Sequence, residues 1–130
     1  MTKRMFLAVL ALCAFGTFGL TATAASAPTL GLTDAGVKNI GSSIAYLMQC
    51  EVAQHLALGN STAYLNAVHR NVLPERAAAV RRQLQLSLHE KTVFSPSQNL
   101  WITFAITKEN CEDAAKSVPV LVYQLDNSVR

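Results

Sequence analysis

Between Val37 and Val52 the apolar positions Val37, Ile40, Ile44, Leu47, Met48 and Val52 recur at a spacing of three or four. At about 100° per residue they share one side of a helix. Thr33 and Asp34 supply a cap and a first-turn acid at its start, and Gly59-Asn60 supplies a stop, which predicts one long helix between them. Gly36 and Gly41 weaken its first two turns. Asn60 or Ser61 then caps a second, shorter helix striped by Tyr64, Leu65, Val68 and Val72. A third begins at Leu73-Pro74-Glu75, with the proline suited to the first helical position, and runs to about Lys91 on a stripe of Ala77, Val80, Leu84 and Leu88.

Two signals conflict in the last third. Leu100, Ile102, Phe104 and Ile106 alternate with Trp101, Thr103 and Thr107, a strand pattern rich in branched and aromatic side chains. Ser95-Pro96-Ser97-Gln98 has the layout of a helix start, with a serine cap, a proline in first position and a glutamine three residues after the cap. Positional chemistry takes precedence over a short apolar run, so the expectation is a helix from Ser95 through Cys111 to about Ser117, broken by Pro119 before a closing segment VLVYQL. The fold class expected is mainly α, a bundle of four to five helices; the alternative is α+β, with a small two-stranded sheet near the C-terminus.

Ahead of this pattern the chain opens with Lys3 and Arg4, an apolar run from Met5 to Leu20, and small residues ending in TATAASA. That order is a secretory signal peptide. Cleavage is expected after Ala24, with Ala27 as the second choice, leaving residues 25–130 as one helical domain in the periplasm or outside the cell. The apolar run is short of the roughly 20 residues that span a bilayer as a helix, so no stable membrane anchor is expected after cleavage. Export also changes the charge. The formal net charge of +3 includes both leader cations, and without them basic and acidic side chains nearly balance, which argues against nucleic acid as a partner.

Cys13 leaves with the leader, so Cys50 and Cys111 remain. Two thiols delivered to an oxidising space, with no zinc or Cys-x-x-Cys spacing, are expected to form a disulfide. Glu51 and His55 fall within about 40° of the stripe's centre and stand four apart, close enough for their side chains to meet. Three roles compete: a half-exposed ion pair, part of a polar patch covered by a partner, or, with His69 or His89, a metal site. Arg76, Arg81 and Arg82 form the one local basic cluster, read first as a solvated helix face. No cofactor is expected, and no hydrolase elbow, metalloprotease, phosphate-loop or haem-attachment motif occurs, so an enzyme is not the expected class.

A leader, a helical domain of about 100 residues, a cysteine in the first long helix (QCEVAQHL) and a second in a late helix (ENCEDAAKSV) together resemble the small periplasmic immunity proteins that neutralise cell-wall amidases delivered by type VI secretion. The resemblance implies an exported binding module that covers another protein, a secreted cell-wall hydrolase. Glu51, His55, Arg76, Arg81 and Arg82 are the side chains first placed on such a surface, by their residue types and not by any family motif. The alternative function is a periplasmic carrier or chaperone for an apolar ligand or client protein, with the apolar late segment lining a pocket.

Overall fold

The structure, a computed structural model, describes residues 27–128. Among them are four helices and one hairpin: α1 (Asp34–Val52), α2 (Asn60–Asn71), α3 (Pro74–Glu90), β1 (Thr92–Ser95), β2 (Leu100–Thr103) and α4 (Lys108–Asn127). The expected leader and its preferred cut after Ala24 lie outside the described residues.

α1 begins as its sequence predicts. The Thr33 hydroxyl accepts from the Gly36 amide at 3.0 Å, which satisfies one of the helix's four unpaired N–H groups. Its end comes seven residues early, at Val52 instead of Gly59. Gln54 adopts a left-handed φ of 62°, its N–H donates to the Glu51 carbonyl, and the His55 N–H donates to the Cys50 carbonyl. This is a Schellman closure with glutamine in the position glycine usually fills. A glycine-based stop signal therefore pointed downstream of the true end.

The core lies between α1, α2 and α3, where Ile44, Val68 and Val80 are fully buried. Each such side chain contributes roughly 1.5–3 kcal/mol by leaving water. α1 and α3 are in tight contact at Gly41, where a built β-carbon would lie 2.7 Å from Gln83 Cβ and 2.9 Å from the Val80 carbonyl oxygen. The glycine that weakens the helix locally is thus what lets the two helices touch. Gly41→Ala is expected to destabilise the fold by about 1–3 kcal/mol through overpacking, although alanine is the better helix former. A urea melt of the variant checks this, and an unchanged or raised midpoint would contradict the close approach.

The last third corrects the expected helix. Ser95-Pro96-Ser97-Gln98 lies at and beyond the end of β1 and, with Asn99 at a φ of 52°, turns the chain back, so the two-stranded alternative is what forms. β1 and β2 pair antiparallel with Thr92 opposite Thr103 and Ser95 opposite Leu100. Serine and proline serve a turn as well as a helix start, and the alternation of Leu100 and Ile102 decides between them. α4 then starts at a true cap, the Thr107 hydroxyl accepting from the Asn110 amide at 3.1 Å, and continues through Pro119 instead of stopping there. Fourteen buried residues, thirteen on the four helices and Val72 just after α2, form the core cluster, which Val118 and Leu125 join from α4.

Cys50 and Cys111 are joined, with Cα atoms 5.7 Å apart across a sequence separation of 61, and both are fully buried. The bridge ties the last turn of α1 to the first turn of α4. Near the other end of α4, the Asp126 carboxylate accepts from Asn71 at 2.7 Å and from the Arg70 guanidinium, which fastens that end to α2. The Asn71 amide, and secondarily Arg70, hold the Asp126 carboxyl below its ordinary pKa.

Candidate functional site

Glu51 turns inward at the end of α1, and the reversal at Gln54 sends the following chain back past it. One carboxylate oxygen accepts from the amides of Gly59 (2.9 Å), Asn60 (3.0 Å) and Ser61 (3.4 Å), and the other accepts from the Ser61 hydroxyl. These are the first N–H groups of α2, whose N-cap, Gly59 at a φ of 118°, has no side chain to offer. The cap oxygen expected from Asn60 or Ser61 thus comes from an acid eight to ten residues upstream, and its negative charge sits at the positive end of the helix dipole. No ion pair joins Glu51 to His55 among the described residues. The two side chains border an open hollow of about 520 Å³ formed by the Glu51–Leu58 stretch, where Val52 and Leu58 are exposed.

The five side chains first placed on a binding surface do not form one patch. Arg76 donates to the Leu32 carbonyl at 2.9 Å and to Asp34 at 2.8 Å, at the start of α1, while Glu51 lies 17 residues along it, about 25 Å away along the axis. Arg81 stands 3.4 Å from the His69 ring across α2 and α3, and Arg82 is exposed. His89 is at the far end of α3. Among the described residues no three histidine, cysteine, aspartate or glutamate side chains group as metal ligands.

A different surface stands out, and its geometry follows from the hairpin's register. The Phe104 amide donates to the Lys91 carbonyl at 2.8 Å. By antiparallel alternation 93–102 and 95–100 are then hydrogen-bonded pairs, while 92–103 and 94–101 are not. The Phe94 amide accordingly points away from β2 and donates to the buried Ser42 hydroxyl of α1 at 2.9 Å. The backbone groups of Trp101 and Thr103 point away from β1 on the other side, where nothing pairs with them among the described residues. One edge of the hairpin is therefore sealed by α1 and the other is open.

The open edge is also apolar. Leu100 is 46% exposed, Trp101 40% and Ile102 42%, and the strand contains neither a charge nor a proline. Folded proteins usually guard such edges with lysine, proline or a bulge. Trp101 is positioned by its tilted contact with the buried Phe94 ring, at 5.1 Å between centroids, and Lys38 lies over that ring. Trp101 is not among the side chains first placed on a binding surface. The alternation of the strand pattern predicts the strand but not that its outer edge is open.

Behind the hairpin, α1, α2, β1 and α4 enclose a cleft of about 300 Å³ lined by Ser43, Tyr46, Leu47, Tyr64, Val93, Ala114, Ser117 and Leu121. The Tyr46 hydroxyl donates to the Ala105 carbonyl at 2.7 Å, and its ring meets Phe104 edge-on at 5.4 Å. Burial pushes the Tyr64 phenol up to about 12 and raises that of Tyr46 as well. No family model, no curated protein and no solved structure matches this chain.

Proposed function

We propose that this chain is an exported periplasmic binding module, inhibitor-like or immunity-like, that covers a partner protein by offering the open edge of β2 as a pairing strand. The observation that carries the reading is the pair of outward-facing backbone units at Trp101 and Thr103, flanked by exposed Leu100 and Ile102. Strand addition draws affinity from such main-chain groups and specificity from the side chains beside them. Export accords with the buried bridge between Cys50 and Cys111 and with the absence, among the described residues, of a helix long and apolar enough to cross a membrane. The resemblance to amidase immunity proteins supplies the partner class, a secreted cell-wall hydrolase.

The test is a photo-crosslinking residue placed at Ile102 in producing cells, with Arg82 as the control position. An adduct with a hydrolase at Ile102 and none at Arg82 is expected. Thr103→Pro removes an outward N–H without removing a rung to β1, so it should weaken binding at least tenfold while the disulfide and the fold persist. Undiminished binding by Thr103→Pro, or an adduct containing only a second copy of this chain, would overturn the reading.

A further inference from the structure

We infer that the cleft between α1, α2, β1 and α4 is a binding site for a neutral, mainly apolar small molecule of about two fused rings that carries one hydroxyl or carbonyl group. The inference stands apart from the strand-edge reading, because it uses the opposite side of the hairpin and none of the residues of β2.

Size comes first. A sealed apolar cavity of about 150 Å³ holds one benzene, and ligand pockets begin at roughly 300 Å³. The cleft, at about 300 Å³, matches a bicyclic molecule or an alkyl chain of similar bulk. It is too small for a folded peptide or a full lipid.

Charge comes second. None of the eight lining residues is ionisable near neutral pH, and the wall is mostly hydrocarbon from Leu47, Val93, Ala114 and Leu121. A carboxylate or an ammonium group would lose its hydration here and gain no counter-ion, so charged ligands are excluded by desolvation.

Polarity supplies the third point. Tyr64 is only 2% exposed, yet its hydroxyl has no hydrogen-bond partner among the described residues, unlike that of Tyr46, which is satisfied by Ala105. That hydroxyl is not sealed from solvent, so a ligand entering the cleft would desolvate it and has to return a hydrogen bond. The phenol stays protonated across the physiological range, so it offers a donor as well as a lone pair to whatever enters the cleft. A ligand with one oxygen placed against Tyr64 satisfies it, while the ring system replaces water on the apolar walls. The wall contributed by α4 is held in place by the Cys111 bridge, less than one turn before Ala114.

2-Naphthol tests the inference on the purified protein with its disulfide intact. Methyl signals of Leu47, Val93 and Leu121 should shift on titration, and those of Val52 and Leu58, which border the separate hollow after α1, should not. 2-Naphthoate has the same rings and a carboxylate, and should bind at least tenfold more weakly. Tyr64→Phe should weaken 2-naphthol by about three- to tenfold and leave naphthalene unaffected, the expected worth of one hydrogen bond. Ala114→Phe, which fills the cleft, should abolish binding of both. Should Ala114→Phe perturb the fold, the methyl shifts and the Tyr64→Phe comparison on native-like protein still decide the matter. Shifts confined to other methyls, equal binding of naphthoate, or no difference between naphthol and naphthalene in their response to Tyr64→Phe would each overturn it.

Discussion

Replacing Cys50 and Cys111 together with alanine is expected to lower the free energy of unfolding by about 4 kcal/mol, the chain-entropy value for a closed loop of this span. The bridge joins residues 61 apart, so without it the unfolded chain regains most of the freedom of its folded part. Domains of this size have roughly 5–15 kcal/mol in total, which makes the bridge a large share of it. The melting midpoint should fall by roughly 15–30 °C. The same drop should follow addition of reductant to the unaltered protein, and coincident melts with and without reductant would contradict it. The local pattern is equally specific. Once the bridge is cut, the start of α4 is held near α1 by the Tyr46 hydroxyl on Ala105 and by the edge-on contact with Phe104. Amide exchange should therefore quicken first between Phe104 and Val118, before the α1–α3 core opens.

Glu51→Ala is expected to cost about 3 kcal/mol, several times the loss for an ordinary cap. The carboxylate accepts from three backbone amides and a buried hydroxyl at once, and alanine would take the acceptor from all four, leaving the buried Ser61 amide and hydroxyl unpaired. Glu51→Gln keeps the shape and one good acceptor oxygen but loses the charge, and should cost about 1 kcal/mol. Thr33→Ala at the start of α1, where one side-chain oxygen serves one amide, should also cost about 1 kcal/mol. Urea melts of the three variants give the order directly. If Glu51→Ala proved no worse than Thr33→Ala, the acid would not be holding the start of α2. Replacement of both Glu51 and His55 with leucine is accordingly expected to lower stability, so a binding assay on that double variant needs a folding control.

The sequence was informative where a signal is local. Thr33 caps α1, Pro74 occupies the first turn of α3, and the stripes Val37–Leu47 and Ala77–Leu84 pack as their spacing requires, while Val52 at the end of α1 is left exposed. The bridge between Cys50 and Cys111 followed from compartment and from the lack of any other use for two thiols. It failed where the chain reverses on itself. Gln54 in a left-handed turn leaves no residue-type signal, so α1 looked longer than it is, and Glu51 and His55 seemed to share one face. An acid amid an apolar stripe shows only that something polar is needed there. That the partner is the start of the next helix depends on the loop between, which no periodicity encodes. The hairpin was half legible: alternation at Leu100 and Ile102 described it correctly, but the serine-proline turn imitated a cap. Neither the open edge at Trp101 nor the cleft at Tyr64 is visible in one dimension, because each depends on which side of β1 a helix covers.

Pro119 in the middle of α4 has no amide hydrogen, so the Ala115 carbonyl lacks its rung within the helix. Before that gap, the segment is welded to α1 by sulfur; beyond it, Asp126 clamps the segment to Asn71 and Arg70 on α2. A rod gripped at both ends by different supports and notched between them bends at the notch. Bending of α4 would come most readily at that gap, which lies between Ala114 and Leu121 in the wall of the cleft.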